Sequence, residues 1–127
     1  MKKKLLIAGG IFFAVILVIF ILVTNGLSEG ANVQILGIDL TNIADGEYVG
    51  EYNFKRWSET VIVSVRNGEI VDIQADEKNM PDILSDYNIY EEIIGRVIAA
   101  QNTTVDAVSG ATVSSKALIK AIENALR

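Results

Sequence analysis

The chain has 127 residues, half of them hydrophobic, with no cysteine, no histidine and a formal net charge of −5. Without Cys there is no disulfide, thiolate metal site or Cys-ligated iron–sulfur cluster, and without His there is no Ser-His-Asp triad, imidazole base or His-ligated haem or copper. Any electrons this protein moves need an organic cofactor. Lys2, Lys3 and Lys4 are three of its eleven basic residues, so the remainder sets eight against sixteen acidic ones, a net charge near −8 that repels nucleic acid and favours partners with basic faces.

Residues 5–23 contain no charged side chain, and roughly 20 apolar residues in a helix span a bilayer core. The reading is a transmembrane anchor in a single-pass cell-membrane protein. The three preceding lysines place its N-terminus in the cytoplasm and the rest of the chain on the outer, extracytoplasmic face. The competing reading is a cleaved signal peptide, against which stand an apolar run longer than the usual ~7–15 residue core and the lack of a clear Ala-x-Ala site. With no cysteine there is no lipidated anchor.

Residues 24–31 read as a polar, glycine-bearing linker that lets the following domain swing. Residues 33–40 are either a short strand or an extended lead-in. After the Asp45-Gly46 turn, residues 47–53 alternate like a strand, with Gly50 at a close approach to another backbone. Residues 57–66 continue the β pattern, with Val61, Val63 and Val65 on one face. Asn67-Gly68 is a two-residue hairpin signal. The return strand, 69–75, is expected to place Val71 and Ile73 on one side and Ile70 and Asp72 on the other.

Pro81 suits the first position of a helix, with Ile83, Leu84 and Tyr87 in its first turns. Ile89, Ile93, Ile94, Val97 and Ile98 then form a helical stripe reaching Ala100. Residues 103–108 are β-branched and read as a strand. A last amphipathic helix runs from about Ser114 to Leu126, with Val113, Ala117, Leu118, Ala121, Ile122, Ala125 and Leu126 on the face that packs on the sheet. The expected fold class is α+β: one transmembrane helix, then a small antiparallel sheet packed against helices. The expected domains are 1–23 for the lysines and anchor, 24–43 for linker and lead-in, and 44–127 for the folded domain.

Asp106-Ala-Val-Ser-Gly-Ala-Thr-Val-Ser-Ser115 is the most informative stretch. Ser109, Gly110 and Ala111 keep side-chain bulk away from the backbone, Thr112 offers a hydroxyl, and the orphan amides of the following helix suit an anion such as a phosphate. Ser109, Ser114 and Ser115 are candidate hydrogen-bond donors to that phosphate, while the two later serines serve equally well as helix caps. A carboxylate at Asp106 would repel a phosphate unless it bonds backbone amides or a metal held by a modifying enzyme.

This segment, with Asp45-Gly-Glu-Tyr-Val-Gly-Glu-Tyr52 and the hairpin that ends at Ile73, resembles the FMN-binding domain family over about residues 44–126. That family includes domains of sodium-pumping NADH:quinone oxidoreductases, Rnf-type complexes and extracellular electron-transfer flavoproteins. The resemblance implies covalent FMN, joined through its phosphate to the last threonine of Ser/Thr-Gly-Ala-Thr, here Thr112, by a flavin transferase. It also implies an electron carrier, rather than a self-contained enzyme, that serves redox donor and acceptor proteins or a quinone. Related domains carry a proline-bearing segment near the cofactor, which makes Met80 and Pro81 candidate ring contacts. Tyr48, Tyr52, Trp57, Tyr87 and Tyr90 are the other aromatic candidates. One departure is Val113, where related motifs often have Ser or Thr.

The rival class is a cofactor-free, membrane-tethered interaction module in which the Ser-Gly-Ala-Thr segment only caps the last helix. A hydrolase lacks its machinery, since no Ser-x-x-Lys spacing starts at Ser109, Ser114 or Ser115. Asp45, Glu47 and Glu51 read as a solvated strand face rather than a metal site.

Overall fold

The computed structural model describes residues 1–76 and 89–127. Helix α1, Lys2–Thr24, buries none of its side chains. Its 23 residues extend about 34 Å at 1.5 Å per residue, enough to cross a hydrocarbon core of about 30 Å. Length and composition make it a candidate membrane span.

The stretch expected to be an irregular linker is ordered. Gly26 turns the chain at φ 87°, and Leu27–Ala31 forms a one-turn helix, α2. Its Gly30 is buried where α2 packs on the last helix. Linker composition failed as a guide because glycine here serves close packing rather than flexibility. Of the two readings for the next segment, the extended lead-in holds: residues 33–40 pair with no strand. Three of their amides are held by side chains instead: Leu36 and Gly37 donate to Glu123 Oε2 at 3.0 and 3.2 Å, and Ile38 to Asn102 Oδ1 at 3.3 Å.

Three strands, β1 (Gly46–Phe54), β2 (Trp57–Arg66) and β3 (Glu69–Ala75), make an antiparallel sheet in the order β1-β2-β3. Asn67 and Gly68 adopt φ of 53° and 73°, the paired positive values that suit a two-residue hairpin turn. The other turn, Lys55-Arg56, carries no glycine or asparagine, and Lys55 takes φ 52° unaided. Val61, Val63 and Val65 are fully buried on one face of β2, as the alternation predicts. The expected side assignment in β3 is overturned by a bulge. Val65 pairs with Ile70 while Ser64 pairs with Asp72, so Val71 is the extra residue. A bulge resets the period of two. Ile70 and Ile73 therefore both point inward, and Val71 is 48% exposed.

Helix α3, Ile89–Ala100, buries Ile89, Tyr90, Ile93 and Val97, and Ile94 and Ile98 pack partly against the same core. Residues 103–108 are not a strand. Their region is held by side chains: Asn102 Oδ1 accepts from the amides of Ile38 and Thr103. Arg96 donates to the carbonyls of Asp106 and Ala107. With those partners in place, no neighbouring strand is needed to satisfy them.

Helix α4, Thr112–Ala125, begins at Thr112 itself, two residues earlier than expected, and lies across β1 and β2. Its predicted inner face is buried, together with Ile119, Ser115 and Glu123. Gly50 makes this close layer possible, because a Cβ there would lie 2.0 Å from the carbonyl oxygen of Ala121. The result is an α+β fold with α4 on the inner sheet face and α3 beside β3.

Candidate functional site

The loop before α4 closes in a turn over residues 108–111, with the Ala111 amide donating to Val108 O at 3.0 Å. Gly110, third in that turn, has φ 83° with open space around its Cβ position. Glycine is required there by backbone conformation, as in a type II turn. The turn delivers the chain into α4 with Ala111 as the cap residue, so no side chain caps the helix. Its first amides and the positive end of its dipole therefore face outward. Thr112 is solvent-exposed at this end.

These residues form one wall of a cleft of about 840 Å³. Gly110, Ala111, Thr112, Val113 and Ser114 line it from the α4 end, Arg56, Trp57, Ser58 and Glu59 from β2 and its turn, and Ile89 and Tyr90 from α3. Leu27 and Ala31 of α2 and Leu118 of α4 complete an apolar surface. Arg56 stacks its guanidinium on Trp57, 4.4 Å from the ring centre.

Glu59 sits in the wall, 6% exposed, at the next inward position of β2 before Val61. Burial raises its pKa to about 7, the hydrogen bond from Tyr90 opposes that rise, and the charge of Asp76 adds to it. The site thus offers an anion-ready helix end, a reachable hydroxyl, an apolar and aromatic surface, and one carboxyl that titrates near neutrality.

The model of a family described as the FMN-binding domain matches residues 24–127. The chain belongs to that family. No curated protein matches it at a significant level. FMN is accordingly its cofactor, and α1 is a candidate membrane anchor for this FMN-binding domain. The cleft suits the group: its volume lies within the roughly 300–1,000 Å³ of small-molecule sites. Its uncapped helix end suits a phosphate, and Leu27, Trp57, Ile89 and Leu118 suit a flat apolar ring.

Among the residues singled out from sequence, Gly110, Ala111, Thr112 and Ser114 line the cleft together, and Trp57 and Tyr90 join them. Ser115 is fully buried and accepts the Val108 amide at 3.0 Å, so it braces the turn from beneath. Ser109 and Asp106 are exposed beside the motif and outside the cleft lining. Tyr48 and Tyr52 pack partly on the core, away from the cleft. Met80, Pro81 and Tyr87 lie outside the described residues. Among the described residues no group of Asp and Glu is arranged to hold a metal ion.

Sequence reading missed Arg56, Glu59 and α2. Glu59 was detectable, since it shares the parity of Val61, Val63 and Val65. A carboxylate on that buried face signals a special environment.

Proposed function

We propose that this protein is a membrane-anchored electron carrier whose FMN is joined through its phosphate to the Thr112 hydroxyl. The single observation that carries the reading is the uncapped start of α4, opening with exposed Thr112 onto the cleft. It also counts against the capping alternative, because no side chain performs that task.

When bound, FMN supplies reversible one- and two-electron chemistry that the protein's own side chains lack. The residues do the rest. The first amides of α4 offer donors and a positive potential to the phosphodiester, which matters in an acidic domain. Gly110 and Ala111 keep bulk away from the linkage. Trp57, Ile89, Leu118 and Leu27 shield one side of the ring site from water, while the opening over Thr112 admits a flavin transferase. Glu59 holds or releases a proton near neutrality within the cleft.

In this reading Lys2, Lys3 and Lys4 hold the N-terminus in the cytoplasm. The FMN domain then faces outward and relays electrons between redox proteins or a quinone. Coexpression with a flavin transferase, followed by intact mass and absorption, tests the linkage. A gain equal to FMN less one water, with colour that survives denaturation and is lost in Thr112→Val, is the expected result. A colourless wild type, with the transferase active on a control domain, would return the motif to a structural role.

A further inference from the structure

The β1–β2 turn meets the end of α1. Arg56 Nη2 donates to the carbonyl of Val23 at 2.9 Å, and Lys55 Nζ donates to Asn25 Oδ1 at 2.8 Å. Lys55 also approaches Glu29 at 3.9 Å. Phe54 and Trp57 flank the two cations with stacked rings, 6.2 Å between centroids and 15° between planes. Val23 ends the apolar run of α1, and residues 5–23 extend about 28 Å as helix, close to one hydrocarbon thickness of about 30 Å.

If residues 5–23 fill the hydrocarbon, the Val23 carbonyl lies at its edge, and the group bonded to it lies at headgroup depth. Two cations with a tryptophan form the residue set that favours that layer. Trp prefers the membrane–water interface, and Lys and Arg side chains close to an anionic surface are drawn to it. The charge distribution adds direction. The body of the domain is strongly acidic, so an anionic bilayer attracts the turn and repels the rest.

We infer that the turn formed by Phe54, Lys55, Arg56 and Trp57 docks on the anionic phospholipid headgroups of the bilayer that α1 spans. Arg56 and Trp57 also line the cleft. Docking therefore holds one wall of the FMN cleft against the membrane surface rather than leaving the domain on a loose tether. The inference rests on reading α1 as a membrane span.

Trp57 is the only tryptophan in the chain, so its emission reports this turn alone. The full chain, produced without a flavin transferase, is placed in nanodiscs containing phosphatidylcholine and phosphatidylglycerol, with or without lipid brominated near the glycerol end of the acyl chain. Docking predicts that bromination removes most of the Trp57 emission. Lys55→Glu with Arg56→Glu is expected to restore it while circular dichroism stays unchanged. Unquenched Trp57 in discs that contain the chain overturns the docking and leaves the anchor standing. A chain that does not enter the discs overturns both. Equal quenching in the charge-reversed variant overturns the role of the headgroup charge, and a turn that becomes shielded only on adding a second protein assigns it to that protein instead.

Discussion

The Tyr90 hydroxyl lies 2.9 Å from Oε1 and 3.0 Å from Oε2 of Glu59, joining the first turn of α3 to β2 in the wall of the cleft. Burial raises the Glu59 pKa from 4.5 to about 7, against the Tyr90 hydrogen bond and with the help of Asp76. A folded state that holds this proton more tightly than the unfolded chain is favoured at low pH. Its contribution is fully present below about 4.5 and is lost as pH rises through about 7. The contribution is at most on the order of 3 kcal/mol. Urea midpoints across that window should fall for the wild type and stay flatter for Glu59→Gln, whose amide still accepts from Tyr90. An unchanged slope in the variant would remove Glu59 as the source.

Thr112 is exposed, and its position at the start of α4 gives it no capping duty. Thr112→Val should shift stability by no more than about 0.5 kcal/mol, as is usual for surface sites, while abolishing covalent flavin. Thermal melts of the unflavinylated proteins, beside in-gel flavin fluorescence of the denatured coexpressed ones, separate the two effects. A large loss of stability without any change in flavin content would show that Thr112 acts structurally.

Gly50 and Gly95 should respond in opposite directions to alanine. At Gly50 the new Cβ would meet backbone, 2.0 Å from Ala121 O and 2.6 Å from Ala125 N. The two layers would have to separate, at about 3 kcal/mol. At Gly95, inside α3, nothing lies within 4 Å, and alanine should stabilise the helix by about 0.5–1 kcal/mol. Melting temperatures of the two variants provide the comparison; a tolerated Gly50→Ala would contradict the packing of α4 on β1.

Glu123 is fully buried, yet it collects the amides of Leu36 and Gly37, the Thr103 hydroxyl and the Lys120 ammonium. Burial alone would raise its pKa, but Lys120 and the two amides outweigh it and leave it lowered. The sign is opposite to that of Glu59: this stabilisation is present above the ordinary carboxyl range and is lost as pH falls through it. Glu123→Ala should cost about 3 kcal/mol, as for breaking a buried charged network. Hydrogen exchange at Leu36 and Gly37 should accelerate beyond the global change. Unaltered protection at those two amides would mean that the lead-in is held elsewhere.

How much could be read in advance depended on the range of the interactions involved. The β2 valines follow a period of two and are buried together. Asn67-Gly68 makes its turn because those two residue types accept positive φ. The Ile89, Ile93 and Val97 stripe becomes the buried face of α3. The small-residue motif likewise announced a helix, although α4 begins two residues earlier than expected, and its Gly110, Ala111, Thr112 and Ser114 line the cleft. In each case neighbouring residues carry the pattern. The β3 faces were misread because one unpaired residue, Val71, shifts the register, and that shift depends on how β2 pairs with it. Residues 103–108 have strand-like composition, but Asn102, Arg96 and Glu123 had already engaged that region.

By itself the sequence determined the apolar span, the hairpin, the amphipathic helices and the absence of His and Cys chemistry, because these depend on local periodicity and composition. Only the tertiary structure packed α2 on α4, brought the Lys55-Arg56 turn to the end of α1, buried Glu59 beside Tyr90, and left the first turn of α4 uncapped over the cleft. Those are contacts between residues up to tens of positions apart, and which of them form depends on how the elements pack together. No local pattern encodes that.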